Sequence, residues 1–342
     1  MTANTNMRIA AVVLIIIYAA VLLAGFVAPY DPTEQDRNHP FAPPSRFHLV
    51  DVGGKFHLRP FTYGWIPRPG GFAEYEEDRS KPLFLRLLVR GSEYKLLGLF
   101  SCGRHLFGLD DDNRLFILGT DGFGRDQFSR LLWGGRISLV AGLIGATLSL
   151  CIGMLAGAVS GYAGGWIDDA LMRLAELFLA MPWLYLLFAV RAFLPLRIST
   201  STAFLLIVAV IGVVGWARPA RLIRGVVLSA KERKYVLAAR GFGASSFYLL
   251  RRHIVPQTMG VFLTQAAILI PQYILAEVTL SFLGLGVGEP VPSWGNMLGS
   301  LQQYHILASY WWMLAPGLIL IPVFWGYHVV ADFLHQQLEL KS

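Results

Sequence analysis

The run ISLVAGLIGATLSLCIGMLAGAVSGY, residues 137–162, has no charged side chain and is longer than the ~20 apolar residues that carry an α-helix across a hydrocarbon core. Its Gly142, Gly145, Gly153, Gly157 and Gly161, with Gly165 just beyond, offer a small-residue surface that another helix can approach closely. Working outward, further apolar runs lie at about 9–28, 171–194, 203–217, 254–283 and 310–330, giving six expected spans. The first exceeds the 7–15 residues typical of a signal-peptide core and is read as a spanning anchor. Pro182, Pro271, Pro316 and Pro322 fall inside these runs, where a missing amide kinks a helix. The composition agrees: across 342 residues 55% are hydrophobic and only 15% charged, with a mean hydropathy of +0.52. A disordered chain, a disulfide-stapled secreted domain and a coiled coil are all excluded. The net charge of +7 belongs to basic anchors beside apolar runs rather than to nucleic-acid binding.

Orientation follows from the segment between the fourth and fifth runs. Arg218, Arg221, Arg224, Lys231, Arg233, Lys234, Arg240, Arg251 and Arg252 stand there against the single acid Glu232, so this segment is expected on the cytoplasmic side. Both termini then lie inside, and the long connection from Tyr30 to Trp133 lies outside. Its Pro40, Pro43 and Pro44 suggest an extended exit from the membrane. Short apolar or alternating runs at 47–52, 55–65, 84–89, 93–100 and 114–118, broken by Gly, Pro and Asp, predict a small β-rich insertion.

Motifs for chemistry are missing. Gly53-Gly54-Lys55 lacks the spacing and hydroxyl of a phosphate loop, Gly122-Phe123-Gly124 lacks a dinucleotide motif's third glycine, and the eight His show no metal-binding spacing. A self-contained channel or secondary transporter would show paired intramembrane charges or repeated broken helices, and neither is evident.

The basic segment from Lys231 to Ser246 is amphipathic, with Tyr235, Ala238 and Ala239 on one helical side and Gly243 placed to supply a turn. By physics alone it is either a solvated interfacial helix or a surface that permits close approach by another protein. This stretch resembles the EAA loop of ABC importer permeases: Ala238, Ala239, Gly243 and Pro256 stand at the motif positions, Arg240, Ala244 and Ser245 also match, and Leu237 replaces the Glu. Three other blocks resemble the dipeptide and oligopeptide permease branch, in its member with an extended outer loop. They are LGTDGFGRD at 118–126 continuing to Leu139, GYAGGWID at 161–168, and EVTLSFLGLG at 277–286 running into Pro292-Ser293-Trp294-Gly295.

The resemblance implies a type I ABC importer permease fold, all-α and polytopic, with a β-rich outer insertion. The expected divisions are a helix at 1–29, an extracytoplasmic insertion at 30–118, a permease core at 119–335 with its coupling helix at about 231–250, and a tail at 336–342. It also implies two separate ATP-binding subunits holding ATP and Mg, a second related permease, an extracytoplasmic solute-binding protein, and a bacterial or archaeal inner membrane. The chain itself is then no enzyme and holds no cofactor or metal. The ATPase-coupling residues carried over are Tyr235, Ala238, Ala239, Arg240, Gly243, Ala244, Ser245 and Pro256. Asp121, Arg125, Asp126 and Glu277 are candidates for a gate or pathway, against the alternatives of Gly-rich turn hydrogen bonds for the first three and a helix-to-helix bond for Glu277. Dipeptide, oligopeptide, nickel chelate, oligosaccharide and antibiotic peptide all remain open as cargo.

Overall fold

In the computed structural model, residues 2–68, 70, 73–96, 100–109, 113–182, 185–186, 188–189 and 200–339 are described. The chain opens with α1 (Thr2–Leu22) and a single turn, α2 (Ala24–Val27). Four strands follow, β1 (His48–Val50), β2 (Phe56–Pro67), β3 (Tyr75–Leu96) and β4 (Phe100–Leu109). Helices α3 (Gln127–Ala163), α4 (Gly165–Ala180), α5 (Thr200–Val214), α6 (Ala217–Lys231), α7 (Lys234–Gly241) and α8 (Ser246–Leu249) come next. A π turn (Leu250–Ile254) leads into α9 (Val255–Phe282), followed by the short α10 (Trp294–Gly299) and α11 (Tyr304–Ser309) and the long α12 (Ala315–Glu339).

Among the described residues, five helical stretches are long and apolar enough to cross a membrane: Asn4–Leu22, Gln127–Ala163, Phe204–Lys231, Ser246–Phe282 and Trp311–Leu338. The run expected at 171–194 lies partly outside the described residues. Its first part is α4, which stops at Ala180, so that Pro182 falls beyond the helix rather than inside it. The residue before a proline is pushed out of the α region, and Met181 is extended at ψ 130°. Pro271 and Pro322 do lie inside α9 and α12.

The chain divides into two compact units. One comprises Met1–Leu14, Leu139–Glu277 and Pro322–Ser342. Its core joins Ala158 to Ile223, Val227 and Ala230 of α6, then to Val236, Leu249 and Ile254, while a second cluster gathers Ala175, Trp216, Ala217 and Ala220. The buried positions 217, 220, 223, 227 and 230 recur at helical spacing, so Arg218, Arg221 and Arg224 share α6 with an apolar stripe. The expected span ended at Ala217; helix α5 stops at Val214, and after a two-residue turn α6 runs on to Lys231.

That stripe meets the glycines of α3. A Cβ on Gly153 would lie 2.7 Å from Pro219 Cβ, one on Gly157 would lie 2.5 Å from Ala220 O, and one on Gly161 would lie 2.9 Å from Val227 Cβ. Backbone contact at this range is the reason for glycine at those turns.

The other unit comprises Ile15–Ser138 and Val278–Ile321. Its strands run antiparallel in the order β1-β2-β3-β4, with Phe61 opposite Phe84 and Val89 opposite His105. Phe61, Tyr63 and Leu83 are buried; such side chains are each worth roughly 1.5–3 kcal/mol when removed from water. The β-rich expectation holds, with two corrections. The 114–118 run is turn and coil, because Leu115 and Phe116 are buried anchors whose amides go to Tyr30 Oη (2.6 Å) and Ser45 Oγ (3.1 Å). The 84–89 run and residues 93–96 belong to one long β3, while Phe100 opens a paired β4 that Gly103 and Gly108 hide from alternation.

Candidate functional site: an exposed aromatic and basic surface, and a buried ion cluster

The segment between α6 and α9 is built around one helix stop. α7 ends at Gly241; the Gly243 amide donates to Arg240 O (3.0 Å) and the Ala244 amide to Ala239 O (3.1 Å), a Schellman pair that satisfies two terminal carbonyls. The geometry requires a left-handed residue, and Gly243 sits at φ +84°. Ser245 then caps α8 by accepting the Tyr248 amide (3.3 Å). Pro256 follows the π turn, whose altered bonding tolerates a residue without an amide hydrogen.

Val236, Leu249 and Ile254 point into the core, with Ala239 and Ala244 packed half-buried against them. Tyr235, Ala238 and Arg240 are exposed, and the Tyr235 hydroxyl accepts from the Gln257 amide. The outward surface is aromatic: Phe242 is 94% exposed and Phe247 71%, joined by Leu237 and Tyr248. Arg233, Lys234, Arg240, Arg251 and Arg252 are exposed around it. So exposed a set of apolar side chains in a basic rim marks a surface suited to contact with another protein or with the membrane interface. Leu237 lies on that exposed face, so a Leu in place of the motif's Glu leaves no intrachain charge unpaired.

Beside this surface, Asp168 closes a clasp that the sequence did not reveal. Arg224 donates through Nε and Nη2 to both carboxylate oxygens, Ser160 Oγ donates to Oδ1, and Lys231 Nζ donates to Gly161 O (3.1 Å). The hydrogen bond from Arg224 holds the Asp168 carboxyl below the usual carboxylate range. Arg173 and Glu176, three apart on α4, form an exposed ion pair at 3.6 Å.

In the other unit the TDGFGRD turn carries a buried ion cluster. Asp121 Oδ1 accepts the amides of Phe123 (2.9 Å) and Arg125 (3.0 Å), and Oδ2 accepts from Arg125 Nε (2.7 Å). Arg125 Nη1 donates onward to Glu289 (2.6 Å), and Arg130 Nη2 donates to the same carboxylate (3.0 Å). Asp121 and Arg125 are therefore brought together, as the sequence suggested. Arg130 and Glu289, which complete the cluster, were missed as site residues. The available signal was that Glu289 is the only acid between Glu277 and Asp332. Asp126 stays out of the cluster and accepts the Ser129 amide at the start of α3 (2.7 Å). Glu277 belongs to the first unit, fully buried and not without a partner.

Burial pushes the Asp126 carboxyl up to about 6, against the hydrogen bonds from Ser129 that pull it down. A raised carboxylate pKa adds stability that is complete below about pH 4 and lost as pH rises through about 6. Asp126→Asn, which keeps an acceptor for the Ser129 amide, should therefore flatten the pH dependence of the purified chain's stability between 4 and 6. Thermal unfolding at pH 4.5 and pH 7 reads this, and an unchanged pH dependence would contradict it.

Comparison with known proteins places these features in a family. Residues 149–340 match the family described as the binding-protein-dependent transport system inner membrane component, and residues 3–44 match the N-terminal TM domain of oligopeptide transport permease C. The first match spans more than half of the chain, and the chain belongs to that family of membrane transport components. Among its relatives, the oligopeptide transport system permease protein OppC of Bacillus subtilis is 39% identical over 225 residues, covering 65% of this chain and 71% of the relative. The dipeptide transport system permease protein DppC of the same organism is 37% identical over 224 residues, covering 65% and 68%. OppC of Haemophilus influenzae is 36% identical over 226 residues, covering 66% and 70%. Among solved structures, an inward-facing form of the MetNI methionine ABC transporter aligns over 59% of this chain and 93% of that chain, at 16% identity and a TM-score of 0.43.

Proposed function

We propose that the chain is the transmembrane permease subunit of an ATP-driven importer that moves peptides inward by alternating access. The observation that carries this is the Schellman turn at Gly243, which presents Phe242 and Phe247 to solvent inside a basic rim. In this reading the face docks in an apolar groove of a separate ATP-binding subunit, and Tyr235, Ala238, Arg240 and Ser245 line the contact. ATP and Mg reside on two such subunits, whose closure moves α7 and the helices that continue from it. A second related permease completes the wall of the path, and an extracytoplasmic solute-binding protein delivers the cargo. The names of the relatives support peptide as that cargo. The nine basic residues from Arg218 to Arg252 support a cytoplasmic location for the docking face, with both termini on the cytoplasmic side of a bacterial or archaeal inner membrane.

Gentle detergent extraction of the tagged chain from its native membrane tests the assembly. A Walker-containing ATPase and a second permease should co-purify with peptide-stimulated ATP hydrolysis. A chain that purifies alone, even from cross-linked membranes, would favour a self-contained transporter.

A further inference from the structure

His105 of β4 is 2% exposed, and backbone carbonyls face both nitrogens of its ring: Nδ1 lies 2.6 Å from Ala28 O and Nε2 lies 3.0 Å from Ser92 O. Ala28 caps α2 at the outer end of the first span, and Ser92 belongs to β3 at the point where its register with β4 shifts. One imidazole thus ties the β insertion to the end of a membrane helix. A carbonyl oxygen only accepts, so each contact needs a hydrogen on the ring nitrogen. A neutral imidazole carries one such hydrogen and serves one carbonyl. Only the imidazolium serves both.

The surroundings hold the ring in this pose and offer it no carboxylate. A Cβ on Gly91 would lie 2.6 Å from His105 Cδ2 and 2.9 Å from Nε2, so glycine is what lets the ring approach β3. On β4 the ring shares its face with Gly103 and Phe107, and Val89 of β3 stands opposite. Tyr94 of β3 stands beside it at 5.2 Å between ring centroids, and its hydroxyl donates to Arg104 O (2.8 Å). Burial pushes that phenol up, so it stays neutral. Glu93 of β3 lies beside Gly103. From the segment after α2, Tyr30 and Glu34 line the adjoining pocket with Arg90 and Ser92; Tyr30 is also pushed up by burial, and Glu34 is paired with Arg114. Among the described residues no carboxylate pairs with the His105 ring.

We propose that His105 is a proton-operated latch between the outer insertion and the end of the first span. With both nitrogens protonated it holds Ala28 and Ser92 together. Loss of one proton leaves a lone pair facing an oxygen, one tie opens, and the β3–β4 hairpin loosens from the helix end. The stability contributed by the latch is present when the ring is charged and is lost as pH rises and the ring gives up a proton, a change that histidine is the usual side chain to make between pH 5 and 8. The outward position expected for the insertion puts the latch under the pH outside the cell. It works the same way whether or not the chain moves peptides.

Hydrogen exchange of the full chain in lipid nanodiscs, read by mass spectrometry at pH 5.5 and pH 8 and corrected for the intrinsic rate, tests the latch. Segments 24–30 and 89–107 should lose at least about tenfold in protection at the higher pH, the effect of one charge-assisted hydrogen bond. His105→Gln does not titrate and should show equal protection at both. Gly91→Ala keeps the histidine but pushes its ring away from Ser92 O, so it should also abolish the pH response; it decides the matter if His105→Gln fails to fold. In the chain labelled with 15N-histidine, the ring signal that these variants remove or move should show hydrogens on both nitrogens at pH 5.5 and on one at pH 8. Wild-type protection that ignores pH, a pH response that survives both substitutions, or a ring with one bare nitrogen at both pH values would overturn the latch.

Discussion

Gly243→Glu should abolish ATP-driven uptake while the chain still inserts into the membrane. The position is left-handed at φ +84°, which costs a residue with a side chain about 1–2 kcal/mol. A Cβ there would meet nothing within 4 Å, so the chain's own packing raises no obstacle. The damage is confined to the turn and to the face it presents: the Ala244 amide leaves Ala239 O, and a carboxylate projects beside Phe242. Gly243→Ala carries the backbone penalty without the charge and should reduce uptake only partly. Membrane fractionation, uptake and co-purification of the ATPase are read together. Normal uptake by Gly243→Glu would remove the docking assignment.

The second large effect is expected at Gly157. Its added Cβ would lie 2.5 Å from Ala220 O and 3.0 Å from Ile223 Cβ, and the first of these is backbone that cannot swing aside. Gly157→Leu should force α3 and α6 apart and destabilise the unit by at least about 1–3 kcal/mol, the usual range for overpacking. Gly225, on α6 itself, is the control, since a Cβ there meets nothing within 4 Å. Gly225→Leu should be neutral or mildly stabilising, because glycine inside a helix costs up to about 1 kcal/mol. Thermal unfolding of the solubilised chain compares the two, and equal unfolding temperatures would refute close packing at Gly157.

Five of the six expected spans were legible because crossing a bilayer imposes a local demand, a sustained apolar run, that one stretch of sequence either meets or does not. The turn at Gly243 was legible for a similar reason, since a helix stop is encoded within a few residues. What escaped depends on distant partners. Glu289 meets Arg125 across 164 positions and Arg130 across 159, and Arg224 meets Asp168 across 56. Each member taken alone reads as a turn residue or a membrane anchor. β4 escaped because its glycines erase the alternation that marks a strand, and its existence depends on pairing with β3.

The glycine seam between α3 and α6 also has a mechanical meaning. Most helix pairs meet through side chains that change rotamer under load, and such a layer yields before it transmits. Along Gly153, Gly157 and Gly161 there is no such layer, Lys231 Nζ of α6 donates to Gly161 O of α3, and the Asp168–Arg224 clasp ties α6 to α4. In the proposed docking, force arriving at Phe242 would find little slack in the seam, and the two helices would move as one stiff lever.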